Sequence, residues 1–307
     1  MSLARITLNQ ILIVLVIIFI GIICRKVKLI DDKTNNKLSN ILLMLVNPMV
    51  VIVSYQMEFS MELLNGLLIS FLLAIITHLF GILVSYRVFK NNKDAVVERI
   101  STIYANCAFM GIPLINGIFG SEGVFYVTAY ITIFNVFLWT HGVVMMSGSK
   151  DIHIKDMLKK LISPTIIAII IGFGFFLFQV KLPYIVFESF DYIASINTPF
   201  AMLIAGVTIG KANLLELVKK YRIFLVAFMR LLFIPLILAL VFSRFPINKV
   251  VLVTSIIMSA CPSAATSILF SIRYEKNSIY AAEIFAVTTI LCCLTIPLVV
   301  TIAEFLI

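Results

Sequence analysis

Long apolar stretches separated by short polar clusters run the length of the chain. A helix-length window places ten of them, near residues 6–24, 38–55, 64–86, 97–119, 123–146, 162–180, 192–210, 222–243, 249–270 and 279–305. Each is close to the ~20 residues an α-helix needs to cross the hydrocarbon core of a bilayer. The fourth and ninth differ from the rest. The fourth carries Asn106, Gly111 and Pro113 at its centre, and the ninth carries Pro262. Proline lacks an amide hydrogen and its ring crowds the carbonyl a turn earlier, so these two spans are expected to break inside the membrane.

Composition fixes the class. Of 307 residues 62% are apolar and only 13% charged, with a mean hydropathy of +1.12, too little polar surface for a water-soluble enzyme and the wrong profile for a disordered, collagen-like, coiled-coil or disulfide-stapled chain. The expectation is an all-α integral membrane protein of ten transmembrane helices. Cys24, Cys107, Cys261, Cys292 and Cys293 all lie in apolar stretches, without metal-ligand spacing, and read as buried packing residues. The net charge of +9 follows loops rather than one polar face, so it reports topology and not a nucleic-acid partner. With the N-terminus outside, nineteen Lys and Arg fall on the cytoplasmic side, at 25–37, 87–99, 150–160, 211–222 and 273–276. Four, Arg5, Lys181, Arg244 and Lys249, fall outside. This bias places both termini extracellular and the 147–161 segment in the cytoplasm of a multi-pass cell-membrane protein. The first span has no small-x-small cleavage site and is followed by Arg25, Lys26 and Lys28, so it is expected to remain as a helix.

The polar 147–161 segment divides the spans five and five, into a repeat over 1–146 and a second over 162–307. Five is odd, so the second set enters the membrane inverted relative to the first. Corresponding features support the division. Asn47-Pro48 in the second span matches Asn197-Thr198-Pro199 in the seventh, and the broken fourth span matches the broken ninth. Breaks at equivalent places in both halves point to a transport site, because a half-helix that restarts inside the membrane offers free N–H groups and a positive dipole end to an anion. Asn106 adds amide donors, and Ser263, Thr266 and Ser267 add hydroxyls after Pro262.

At these residues the sequence resembles the auxin efflux carrier family of bacteria and plants, itself similar to the bile acid sodium symporter group. The resemblance covers the whole chain. It rests on Asn106-Cys-Ala-Phe-Met-Gly-Ile-Pro-Leu114, Ala260-Cys-Pro-Ser263, Gly206-Val-Thr-Ile-Gly210, and Thr288-Thr-Ile-Leu through Leu294-Thr-Ile-Pro297. It implies two inverted five-helix repeats, with helices 4 and 9 crossing as an X in a mobile core of helices 3–5 and 8–10. The scaffold would come from helices 1, 2, 6 and 7, the substrate would be an organic anion bound at the crossing beside Asn106 and Cys107, and the assembly would be a homodimer. Plant members commonly have a proline before the crossing asparagine where this chain has Ala105, so the first break is expected to depend on Asn106 and Gly111 and to be gentler. The third span has only His78 as an ionisable group, where plant members carry acidic and basic residues.

Arg230 lies midway along the eighth span, where a charge costs about 2.5–3.5 kcal/mol. It either attracts an anion or binds carbonyls freed at a broken helix. Glu283 is a solvated helix-start carboxylate or an ion or proton site, and His78 and His141 are hydrogen-bonded packing residues or proton carriers. There is no HExxH, paired intramembrane aspartate, GxSxG, Walker A or dinucleotide-binding turn, so no enzyme is expected. The expected function is secondary or facilitative transport of small carboxylates, malate-, malonate- or auxin-like, by alternating access. No cofactor is expected, and H⁺ and Na⁺ stand level as coupling ions. An anion channel or a non-transporting receptor is the alternative.

Overall fold

The structure is a computed structural model and describes residues 3–90, 92–148, 163–210 and 220–306. Most of the 147–161 linker, with its four lysines, lies outside the described residues. Within them every regular element is helical: α1 (Leu3–Lys26), α2 (Asp32–Ser54), α3 (Met61–Val88), α4 (Ala95–Ile103), α5 (Cys107–Ser147), α6 (Pro164–Leu177), α7 (Tyr184–Ser195), α8 (Asn197–Ile209), α9 (Tyr221–Phe242), α10 (Lys249–Ala260), α11 (Thr266–Arg273) and α12 (Ser278–Leu306). Seven helical stretches among the described residues are long and apolar enough to cross a membrane, with α7 and α8 counted as one, and α6 and α10 are shorter apolar helices.

The expected fourth and fifth spans appear as α4 and α5. α5 runs for 41 residues, far beyond one crossing, and is bent at Gly120, whose φ of 60° and ψ of −148° leave the helical region. No neighbour crowds a Cβ built there, so it is the left-handed backbone that calls for glycine. Three of the prolines are accommodated by a widened turn. The N–H groups of Asn47, Ile112 and Ile234 each reach back five residues, to the carbonyls of Leu42, Cys107 and Met229, immediately before Pro48, Pro113 and Pro235. The extra residue in the turn gives the ring room that a regular turn denies it.

Close packing depends on small residues, as expected where lipid supplies no hydrophobic drive between helices. α1 and α8 meet at Gly21 and Gly206. A Cβ on Gly206 would lie 2.1 Å from the Ile18 carbonyl oxygen, and one on Gly21 2.4 Å from that of Leu203. Asn35 of α2 donates to the Thr208 hydroxyl of α8 at 3.1 Å. Farther along, the Asn197 amide donates to the Asn47 side-chain oxygen at 2.7 Å with both residues fully buried, which joins the two Asn/Pro motifs directly. α10 is buried on all sides from Val251 to Ala260, the pattern of a helix inside a bundle. The four cysteines other than Cys24 are buried and all five are free thiols.

Replacing Gly206 by leucine should force α1 and α8 apart and cost about 1–3 kcal/mol of stability, the range for overpacking a close contact. Gly174→Ala, where nothing lies within 4 Å, should be neutral or slightly stabilising. Thermal unfolding of the two variants in detergent checks the contrast.

Candidate functional site

The two interruptions meet. α4 ends at Ile103, Tyr104 turns to an extended conformation (φ −99°, ψ 118°), and the helix resumes at Cys107. α10 ends at Ala260, and α11 begins at Thr266. The two non-helical stretches lie antiparallel with Ala105 opposite Ser263. Asn106 N–H donates to the Pro262 carbonyl at 2.8 Å, and Ala264 N–H to the Tyr104 carbonyl at 2.9 Å. Peptide groups released by one break are thus satisfied by the other, which a membrane interior requires.

Side chains close the remaining bonds. Ser263 is fully buried; its hydroxyl donates to the Ser101 carbonyl at 2.7 Å, and its N–H reaches the Thr288 hydroxyl at 3.2 Å. Arg230, 1% exposed, directs Nε to the Cys261 carbonyl at 2.9 Å and Nη1 to those of Thr102 and Ile103 at 3.2 and 3.3 Å. Of the two roles open to Arg230, carbonyl binding is the one the geometry displays, and it ties both breaks to α9. The fork of a guanidinium spans carbonyls on two chains, which a lysine's single charged centre does not.

A cavity of about 220 Å³ opens against one face of this crossing. Asn106, Cys107, Ala108 and Phe109 form one wall, Ala264, Ala265 and Thr266 another, and Met44, Asn135, Trp139 and Thr165 complete it. The Thr266 hydroxyl is buried without a hydrogen-bond partner among the described residues. The first-turn N–H groups of α5 have no helical carbonyl ahead of them, whereas at α11 those of Ser267 and Ile268 already donate to the Ala264 and Ala265 carbonyls at 3.0 and 3.1 Å. No charged side chain lines this cavity. Ser163, Pro164 and Thr165, the first described residues past the polar linker, also line it. Farther along α2, away from Asp32, the packing is closed by the Tyr55 hydroxyl on that of Thr128 at 2.7 Å and by the Tyr55, Phe125 and Phe176 rings, 5.0 Å apart in sequence.

The family model described as membrane transport protein matches this chain twice, over residues 6–152 and 149–300. The chain belongs to that family. Its resemblance to auxin efflux carriers, drawn from the crossing motifs, agrees with this. It is also similar to the uncharacterized transporter MJ1031 of Methanocaldococcus jannaschii, 23% identical over 306 residues that cover 92% of this chain and 95% of that protein.

In this membrane transport protein the residues singled out by sequence divide into groups. Asn106, Cys107 and Thr266 line the cavity; Ser263, Ser267 and Arg230 lie behind it, and the Ser267 hydroxyl turns back to the Ala264 carbonyl at 2.7 Å. Ala105 and Pro262 form the paired stretch itself. Gly111 and Pro113 lie past the interruption, in α5. Gly111 serves close approach, since a Cβ there would meet Met258 Sδ at 2.6 Å. The first break leaves three residues, 104–106, outside the helix against five, 261–265, at the second, and its extended backbone pairs with the second break.

His78 is buried away from the cavity. Its Nδ1–H donates to the Ala74 carbonyl at 2.8 Å, its ring stacks on Phe137, and Nε2 has no partner among the described residues. His141 lies between the Tyr104 and Tyr86 hydroxyls at 2.9 and 3.4 Å. Glu283 is held by Lys220 at 2.6 Å. Sequence reasoning passed over Glu98, which is fully buried and receives Arg222 Nε and Nη2 at 2.6 and 2.7 Å, Tyr280 at 3.0 Å and Asn92 at 3.1 Å, binding α4 to α9 and α12. The available signal was an acid just inside a span whose only evident compensation was a base elsewhere.

Arg230→Leu should cost about 3 kcal/mol or more, because several buried carbonyls lose their donors at once. Glu283→Gln, at a partly exposed pair, should change stability by less than about 1 kcal/mol. Denaturant titration of both variants in mild detergent measures the difference.

Proposed function

We propose that this protein is a secondary carrier for small organic anions, working by alternating access with the paired breaks as the binding element. The observation that carries this reading is the cavity walled by both breaks, where the first turn of α5, Asn106 and Thr266 line a space without a single charged side chain. Fixed dipoles of this kind favour a carboxylate while avoiding the cost of a buried cation in the wall. The rest of the cavity is mostly apolar, with Phe109, Phe134 and Trp139, and its other polar groups, on Asn135, Ser163 and Thr165, are uncharged. One carboxylate on an apolar body suits such a site better than two, since a second charge would find no Lys, Arg or His. Monoanions are therefore favoured over malate- or malonate-like dianions.

Two inverted five-helix repeats are the arrangement in which this crossing is most simply understood. The two family matches meeting at 149–152, the Asn47–Asn197 pair and the antiparallel breaks all support it. With the positive-inside bias, an opening beside Ser163 would make this an inward-facing state, with the Tyr55–Thr128 contact on the outer side. A core carrying both breaks would then move against a scaffold built around the tight α1–α8 pair. Homodimerisation stays with the family resemblance.

Asn106→Ala should abolish uptake into proteoliposomes with the fold retained, and Thr266→Val should weaken it by roughly 10-fold or more, as loss of a hydrogen bond to a charged group implies. Normal uptake by Asn106→Ala would remove the crossing as the site. In a thermal-shift panel, aromatic and aliphatic monocarboxylates should stabilise the protein more than dicarboxylates of similar size. Saturating flux with counterflow is expected; single-channel currents would favour the channel.

A further inference from the structure

The foot of α1 gathers basic residues at a tight turn. The helix ends in a left-handed turn with the Leu29 N–H on the Cys24 carbonyl at 2.9 Å, a closure that normally places glycine at the turning residue. Here that residue is Lys28, at φ 61°. Gln179 at φ 52° and Glu275 at φ 54° turn the ends of α6 and α11 in the same way, so the strained backbone recurs in this protein and it is the company of charge around Lys28 that marks this helix end. The turn brings Arg25, Lys26 and Lys28 to the wall of a hollow of about 370 Å³, completed by Ile30 and Asp31. The stem of Arg25 rests on Gly210 at the end of α8, where a Cβ would approach it to 3.3 Å, so the site is fixed to the closely packed α1–α8 pair.

The acids nearby are already engaged. Asp32 pairs with Arg25 at 3.1 Å. Asp31 caps α2, accepting the Thr34 N–H at 2.7 Å, and hydrogen bonding from the Thr34 side chain and then its backbone holds the Asp31 carboxyl below the usual carboxylate range. Between residues 25 and 37 there are five bases and two acids, leaving a surplus of positive charge.

Apolar surface continues from the same place. Val27 and Leu29, 65% and 72% exposed, flank Lys28, and Leu12, Val16, Phe19 and Ile23 form an outward stripe up α1 at helical spacing. Cations at the mouth and an exposed apolar stripe leading away match a phospholipid, with phosphate at the bases and acyl chain along the helix.

We propose that Arg25, Lys26 and Lys28 form a binding site for the headgroup of an anionic phospholipid. The lipid would seat the foot of the α1–α8 pair in the leaflet that the charge bias makes cytoplasmic. This site is separate from the crossing and does not depend on what the protein transports.

The test uses the full-length protein in neutral detergent, with phosphatidylglycerol, phosphatidylcholine of the same acyl chains, or inorganic phosphate added, read by native mass spectrometry and thermal shift. Phosphatidylglycerol should remain bound and raise the melting temperature, while the other two should do so far less. Lys26→Gln and Lys28→Gln should each weaken phosphatidylglycerol binding by roughly 5-fold. Lys28→Gly separates strain from charge: it should raise the melting temperature without lipid yet reduce the lipid-dependent rise. Equal shifts with both lipids, a full shift with phosphate alone, or an undiminished lipid effect in Lys28→Gly would each overturn the proposal.

Discussion

A peptide group inside a bilayer cannot be left without a hydrogen bond, and the centre of this protein is organised around two places where the helix fails to supply one. The solution is mutual. Residues 104–106 and 262–264 donate to each other across an antiparallel contact, and Arg230 takes three of the carbonyls that remain. A side chain that is costly at mid-membrane on its own thereby becomes part of the backbone's hydrogen bonding. With the carbonyls occupied behind the crossing, the first turns of the resumed helices line the cavity on its other side.

Helices around the crossing are held by two different means. α1 and α8 come together through glycines, and α2 joins α8 through a buried asparagine pair, contacts of short reach and fixed geometry. α4, α9 and α12 are joined at one end by Glu98 with Arg222 and Tyr280, and more loosely by Lys220 with Glu283. A buried ion pair with its extra hydrogen bonds filled resists separation of its partners, because either alone would be an uncompensated charge. The broken helix α4 is thus fastened to α9, which carries Arg230, and to α12, whose Thr288 bonds Ser263. Polar bonds run from the foot of α4 to the crossing within one set of helices, while the α1–α8 pair is closed by small residues alone near Gly21 and Gly206.

Widened turns before Pro48, Pro113 and Pro235 show the same economy on a smaller scale. None of these prolines ends its helix. In each case an N–H skips one carbonyl, the ring is accommodated, and the helix goes on toward the other face. Proline therefore marks a local change of pitch at three sites and a true interruption only at Pro262, where the chain lies opposite another broken segment.

The amino-acid order alone determined the membrane class, the apolar stretches and the two stretches where a helix would fail, because these depend on hydrophobicity and on residues such as Pro262 that cannot complete a turn. It also brought Asn47 and Asn197 into correspondence. Tertiary structure decided the rest. Whether Ala105 permits a full break depends on Pro262 and Ser263, more than 150 positions away. The structure sends Arg230 to carbonyls and sets Ser263 and Ser267 behind the cavity while Thr266 faces it, a distinction of helix phase and non-helical length that composition does not carry. Glu98 drew no attention beside a more conspicuous Glu283, since burial is a property of neighbours. Hydrogen bonds between segments remote in sequence are invisible until the chain is folded, and in this protein they are what turns two defects into a site.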